Sequence, residues 1–260
     1  MDLELSHDEL RGMLEYEASV INNKDFITDD PVQFPRMFDD PRDIEIASIL
    51  CATIAWGNRK MICRDCSRML AMMGHQPLRY MMEEGYMDLN PEGNIHRTFF
   101  NRNLAHFLKG LRFIYKNFGS LQDFARSIGI QSSEYPAWLL VDSINRILSD
   151  ENNGTQDSRC LPLNTANSAL KRINMALRWL VRNDGIVDLG IWDVLNTSQL
   201  FIPLDVHVGN ISRQLGLLSR KANDRKSCIN LTLTLREFDP DDPVKFDYAL
   251  FGIGIHHKLG

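Results

Sequence analysis

Apolar residues recur at the three- and four-residue spacing of an α-helix along most of this chain. The first such segment runs from 7 to 21 and places Leu10, Met13 and Leu14 between acidic residues. Asp40-Pro41 then supplies an N-cap residue and a proline for the first position of a second helix. No alternating segments joined by a tight Asn-Gly or Asp-Gly turn indicate a hairpin. The sequence therefore predicts an all-α fold.

Ten helices are predicted from this spacing and from the cap signals. The predicted ranges are 7–21, 41–56, 60–73, 101–117, 121–127, 138–148, 167–182, 206–215, 224–237 and 243–254. The most loop-like stretch, 150–164, is predicted to connect two of these helices. We expect one helical domain over residues 1–260.

Length and hydropathy limit the class of protein. The 260 residues are 44% hydrophobic, enough for a sizeable core in a soluble domain. No apolar run approaches the roughly 18 residues of a membrane span, and the start Met1–Glu4 lacks the basic and apolar regions of a signal peptide. We expect a cytoplasmic protein with no membrane partner.

The charge is unevenly distributed. Residues 1–45 hold 13 acids and 4 bases, whereas the remaining residues hold 21 acids and 25 bases, so the body of the chain is basic despite a net charge of −5. The segments 159–182 and 209–226 each contain five bases. Such segments are typical of a phosphate-binding face and also of an ordinary solvated helix surface. Both interpretations fit the sequence.

Asp205 holds the most informative position in the chain. It follows Pro203-Leu204 and precedes a segment, Val206 to Ile211, with helical spacing, so it is predicted to be a helix N-cap. The free N–H groups and the positive end of the helix dipole stabilise an anion there. That carboxylate can cap the helix alone, or it can stabilise a cation.

The motif around Asp205 resembles a known one. Pro203-Leu204-Asp205-Val206-His207-Val208, with Ile211 and Arg213, is similar to the [VI]-D-x-H-[VI] segment of the helix-hairpin-helix DNA glycosylase superfamily, which includes endonuclease III and the 8-oxoguanine glycosylases. Nearly the whole chain resembles the bacterial family known as domain of unknown function 2400. The shared segments are 171–179, 203–208 and 246–252.

The resemblance implies a fold and a reaction. The fold is a two-lobed, helix-hairpin-helix glycosylase-like arrangement, and the partner is double-stranded DNA with a damaged or mismatched base. Asp205 would stabilise the positive charge that develops on the deoxyribose, and Lys171 would attack C1′ as a Schiff-base nucleophile with AP-lyase activity. Lys171 precedes Asp205 by 34 positions. The alternative interpretation of Lys171 is a surface lysine in a basic helix.

The hairpin departs from the family pattern L-P-G-[VI]-G-x-[KQ]. The corresponding stretch, Leu161 to Lys171, contains no glycine, so the usual approach of backbone N–H groups to a phosphate is altered. Polar residues at a helix N-terminus can also bind anions. Four residues are predicted to do so here: Asn164, Thr165, Asn167 and Ser168.

Five further residues are predicted to contact DNA. Asn58 and Arg59 follow the second helix, where the superfamily often supplies a side chain that fills the gap left by a flipped base. An ordinary helix-connecting turn is the alternative for these two residues. The other three belong to the basic segments: Arg172, Arg178 and Arg213.

No metal or organic cofactor is expected. The five cysteines are scattered and odd in number, and the four clustered cysteines of the iron–sulfur loop of endonuclease III are absent. The sequence thus leaves two functions: a DNA glycosylase and AP lyase acting through Lys171 and Asp205, or a non-catalytic DNA-binding or structural protein that retains the fold. The missing hairpin glycines and the acidic N-terminal segment favour the second.

Overall fold

The computed structural model describes residues 5–256, so residues 1–4 and 257–260 of the predicted domain lie outside it. This part of the chain is mostly helical, and the predicted all-α fold is confirmed. The helices are α1 (His7–Ile21), α2 (Lys24–Thr28), α3 (Pro41–Thr53), α4 (Arg59–Met72), α5 (Pro77–Met82), α6 (Asn101–Phe118), α7 (Leu121–Ser127), α8 (Pro136–Glu151), α9 (Lys171–Val181), α10 (Val206–Gln214), α11 (Arg225–Phe238) and α12 (Phe246–His256).

One antiparallel hairpin interrupts the helices. Its strands β1 (Asn94–His96) and β2 (Phe99–Phe100) pair just before α6. The sequence predicted no hairpin, and this prediction is wrong, because strands of three and two residues are too short to show an alternating pattern. The helices α2 and α5 were not predicted either, because five and six residues are too few to show a repeated helical spacing.

Side-chain caps begin several helices as predicted. The carboxylate of Asp40 accepts a hydrogen bond from the backbone N–H of Arg42, and Pro41 occupies the first turn of α3. Asp242-Pro243 repeats this Asp-Pro sequence at the predicted start of the last helix, 243–254. It starts a 3₁₀ turn instead, and Asp242 provides no side-chain cap there. Its carboxylate accepts from Arg182 at 2.8 Å, so a tertiary ion pair replaces the local cap.

The core joins segments that are distant in the sequence. The first helix packs along the last, since α1 contacts α12, while α3 packs on α9 and α6 on α8. All residues of α9 from Ile173 to Val181 are buried, as are those of α3 from Ile44 to Thr53. Helix α10 packs against α12. This packing brings the first turns of α9, α10 and α12 into one region.

Helix α9 begins four residues later than predicted. Leu170 has a φ of 50°, a left-handed conformation that ends the preceding loop, and Lys171 is the first helical residue. The loop before it forms an isolated bridge between Ser168 and Asp224, and the backbone N–H of Arg225 donates to Asn167. Those bonds hold the end of the loop against the start of α11.

The 152–170 connection contains no helix and is tied to its neighbours. The amide of Asn103 donates to Asp157 at 2.6 Å, and the indole of Trp138 donates to the carbonyl of Ser168 at 3.0 Å. Within residues 5–256, no helix combines the length and the apolar character needed to cross a membrane.

A buried carboxylate connects four parts of the fold. Glu45 of α3 is 2% exposed and accepts four hydrogen bonds at 2.8–3.0 Å. The donors lie on α6, on α7 and in the loop after α9: the hydroxyl of Tyr115, the backbone N–H groups of Leu121 and Gln122, and the indole of Trp192.

Replacing this carboxylate should destabilise the protein strongly. Glu45→Leu keeps a similar volume but leaves buried donors unpaired, so we expect the free energy of unfolding to fall by at least about 3 kcal/mol. Urea denaturation followed by circular dichroism measures it. The matched control is Glu83→Leu, at an exposed i,i+4 pair with Arg79, where the loss should stay below about 1 kcal/mol. Similar losses in the two variants would contradict this role of Glu45.

Candidate active site

Lys171 and Asp205 form an ion pair. Lys171 is the first residue of α9 and Asp205 is the N-cap of α10, and 3.9 Å separates the Nζ of Lys171 from the Oδ2 of Asp205. The side chains are 28% and 42% exposed, so solvent and a ligand can reach both. The packing of α9 and α10 thus brings together two residues that lie far apart in the sequence.

The two oxygens of Asp205 have different partners. Oδ1 accepts a hydrogen bond from the backbone N–H of Val208 at 2.9 Å, which caps α10 as predicted. Oδ2 faces Lys171. Because one oxygen is fixed by the helix, the other is held in a defined direction toward the ammonium group.

A cavity of about 270 Å³ opens beside this pair. Met175, one turn after Lys171, brings its sulfur to 3.7 Å from Nζ. The cavity walls come from the loop before α9, from the first turn of α9 and from the two segments that flank α10. The lining residues are Pro162, Ser168, Ala169, Leu170, Lys171, Arg172, Ile173, Leu204 and Asn223.

A second carboxyl, that of Asp247, interacts electrostatically with the pair. Asp247 is in the first turn of α12, pairs with the guanidinium of Arg178, and is close enough to Lys171 and Asp205 for their charges to act on it. Burial raises the pKa of Asp247 to about 6, since the cations Arg178 and Lys171 offset the burial only in part and Asp205 adds a like charge. In the sequence, Asp247 lies within the shared segment 246–252, and no role was predicted for it.

Arg178 anchors a buried charge network behind the site. Besides Asp247, it binds Asp188 through Nε at 3.2 Å, and Arg182 binds the other oxygen of Asp188 at 3.1 Å. Arg182 also pairs with Asp184 and Asp242. Burial raises the pKa of the Asp188 carboxyl against the opposing effect of both arginines.

The prediction that Arg178 contacts DNA is wrong. Its residue is only 3% exposed, and its guanidinium lies 4.3 Å from the ring centre of Tyr248 between two carboxylates. A phosphate cannot reach it there. The sequence showed a basic helix, but the charge of this residue is directed into the core.

Two other predicted DNA contacts have structural partners. Arg213 donates to the carbonyl of Arg220 at 2.7 Å and to the side chain of Asn223 at 2.6 Å, which holds the loop between α10 and α11. Arg172 donates to the carbonyl of Thr53 at 2.5 Å, and its guanidinium lies 5.3 Å from the ring centre of Trp56. Arg172 therefore ties the start of α9 to the end of α3.

Asn58 and Arg59 lie at the start of α4. The exposed Asn58 is its N-cap and accepts from the backbone N–H of Met61 at 3.2 Å. Arg59 pairs with Asp30 at 2.9 Å, and its guanidinium lies 4.6 Å from the ring centre of Phe251. Phe251 is one turn after Asp247 on α12, so Arg59 connects the start of α4 to the helix that carries Asp247.

The polar residues of the modified hairpin do not form a helix N-terminus as predicted. Asn164, Thr165, Asn167 and Ser168 lie in the loop before the left-handed residue Leu170. Thr165 donates to Asp142 at 2.8 Å, and Ser168 accepts from the backbone N–H of Leu170. Asn164 and Asn167 are exposed. Of the four, only Ser168 lines the cavity next to Lys171.

The comparisons with known proteins give one match. The sequence model of a protein family described as "Protein of unknown function (DUF2400)" matches residues 30–256. No curated protein and no solved structure matches the chain. The matched range contains Lys171, Asp205 and Asp247, so the whole candidate site lies inside the family region. Because the match covers most of its length, the chain belongs to this DUF2400 family.

Proposed function

We propose that this protein is a DNA glycosylase with AP-lyase activity, acting on double-stranded DNA that carries a damaged or mismatched base. The observation that carries the proposal is the 3.9 Å contact between the Lys171 ammonium and the Asp205 carboxylate. A reachable amine beside a fixed carboxylate is the pair that this reaction needs.

The reaction divides between the two residues. As the bond from C1′ to the base breaks, positive charge develops on the sugar, and the directed Oδ2 of Asp205 stabilises it. The Lys171 ammonium gives a proton to solvent water, and its amine then bonds to C1′. The bond from C1′ to the ring oxygen breaks as that oxygen takes up a proton, and the resulting Schiff base permits strand scission by β-elimination. The part-exposed setting of both groups leaves room for an extruded nucleotide.

We further propose a helix-hairpin-helix glycosylase arrangement for α9 and α10, with a modified hairpin before α9. The sequence around Asp205 supports it, as does the cavity at the first turn of α9. With no hairpin glycine, phosphate contacts must come partly from elsewhere. Lys221 and Lys226, both exposed in the loop before α11 and in its first turn, are available for them.

One observation favours the alternative, a DNA-binding or structural protein without catalysis. Asp205 caps α10 through Oδ1, and a cap alone accounts for an aspartate at this position. The two functions predict different effects of an uncharged side chain at position 205: a cap alone tolerates it, whereas catalysis does not.

Asp205→Asn should separate the two functions. Asparagine caps a helix about as well as aspartate, so we expect the midpoint of unfolding to change little. Loss of the negative charge should slow base release on the order of 10²-fold or more. The measurement is single-turnover base release from duplexes carrying one oxidised, deaminated or alkylated base, chosen as the duplex on which the wild type is fastest. Equal rates for the wild type and the variant would remove Asp205 from the mechanism.

Lys171→Gln should abolish covalent capture of DNA. We expect borohydride to trap the wild type on a duplex with an abasic site, since the Schiff base is reduced to a stable amine. The variant should give no adduct while remaining folded. Lys116→Gln, which removes an exposed lysine in the last turn of α6 and lies outside the candidate site, is the matched control and should be trapped like the wild type. An adduct that persists in Lys171→Gln would mean that another amine is the nucleophile.

A further inference from the structure

Asp247 occupies the junction between the candidate site and the buried charge network. Its partner Arg178 is seven residues after Lys171 on α9, two turns along the same face of the helix. The charges of both Lys171 and Asp205 act on its carboxyl. Asp247 is therefore the link through which the buried network meets the exposed ion pair.

The cluster contains more carboxylates than cations. Three cations, Lys171, Arg178 and Arg182, are shared by five carboxylates. The carboxylates are Asp184, Asp188, Asp205, Asp242 and Asp247. Asp188 and Asp247 share Arg178 in a largely buried setting, where two like charges cannot both stay ionised without cost, so a proton on one of these two carboxyls is favoured.

Exposure separates the two carboxyls that share Arg178. The side chain of Asp188 is fully buried, so a proton on it has no route to a ligand. The side chain of Asp247 is 16% exposed, and the charges of Lys171 and Asp205 act on it. Of these two, only Asp247 has an exposed fraction through which a proton can leave.

We propose that Asp247 is the general acid of this site and protonates the departing base, an inference that rests on the proposed function. The O–H bond of Asp247 breaks, and its proton moves to a ring nitrogen or carbonyl oxygen of the base. The electron pair of the bond to C1′ leaves with the base, which departs neutral. Lys171, after its ammonium has given a proton to solvent water, captures the sugar cation through its amine, and the proton lost by the new ammonium returns to the Asp247 carboxylate.

The environments of Asp247 and Asp205 fit their two roles, those of proton donor and of stabilising anion. With a pKa of about 6, the largely buried Asp247 carboxyl holds its proton below about pH 6, which is far above the range of an ordinary aspartate, whereas the more exposed Asp205 provides the anion. Charged or titratable groups approach Asp247 or its helix from α1, α4, α9, α10 and the loops after α9. They are Glu17, Arg59, Lys171, Arg178, Arg182, Asp188, Asp205 and His207. Lys245, on the turn before α12, is paired with Glu15 and Asp239.

The test separates base release from the later lysine chemistry. Asp247→Asn should lower single-turnover base release at pH 6 on the order of 10²-fold. The wild-type rate should fall as pH rises through about 6, since the acid must hold its proton, and this inflection should disappear in the variant. On a duplex with a preformed abasic site no base departs, so borohydride trapping of Asp247→Asn should stay within about threefold of the wild type. Asp247→Glu should recover part of the base release.

Asp188→Asn is the matched control, because it alters the other carboxylate on Arg178. It should retain an inflection, displaced to lower pH because the charge of Asp188 helps to raise the pKa of Asp247. Unchanged base release in Asp247→Asn, equal losses of base release and trapping, or loss of the inflection in both variants would each overturn the general-acid role. A wild type that neither releases a base nor traps an abasic site would instead overturn the proposed function, and the general acid with it.

Discussion

The guanidinium of Arg178 fixes the geometry on which the candidate site depends. It lies in the core between Asp188 and Asp247 and therefore joins α9, the loop after it and the first turn of α12. A buried charge is costly unless it is paired and hydrogen-bonded, and removal of one partner typically costs about 3–5 kcal/mol. The relative positions of α9 and α12 are therefore set by electrostatics as well as by apolar packing.

That constraint acts on the exposed residues through helix geometry. Lys171 and Arg178 share a face of α9, so a fixed Arg178 fixes the direction from which Lys171 leaves the first turn. Asp205 is held from the other side by its cap on α10, and α10 packs on α12. The ion pair at the surface thus rests on two independently positioned helix starts, as a preorganised site requires.

Much of the fold could be predicted because its signals are local. Helical spacing and the caps at Asp40 and Asp205 depend only on neighbouring residues, and the structure has both caps. The start of α9 was misplaced because the bridge from Ser168 to Asp224 involves residues far apart in sequence. Arg178 was misassigned for the same reason, since the sequence of a basic helix does not show that Asp188 and Asp247, distant in the chain, pair with it.

Asp247 illustrates a limit of a different kind. An aspartate in the first turn of a helix is ordinary, because the helix dipole favours it there. What sets it apart is the surplus of carboxylates around three cations, a property of the assembled cluster and of no single segment. Lys171 and Asp205 could be paired from the sequence through a family resemblance. Asp247 could be added to them only from the charge balance of the folded site.

The same charge balance changes how a DNA partner would be held. Of the five bases between 159 and 182, Arg178 and Arg182 are in buried ion pairs and Arg172 donates to the end of α3. Most of the positive charge of this segment is therefore paired or hydrogen-bonded within the protein. Each neutralised phosphate contributes about −0.9 to the log–log salt dependence of binding, so few free cations here imply a shallow dependence. Recognition would then rely more on the extruded nucleotide, at the charged cluster of Lys171, Asp205 and Asp247, than on a broad basic surface.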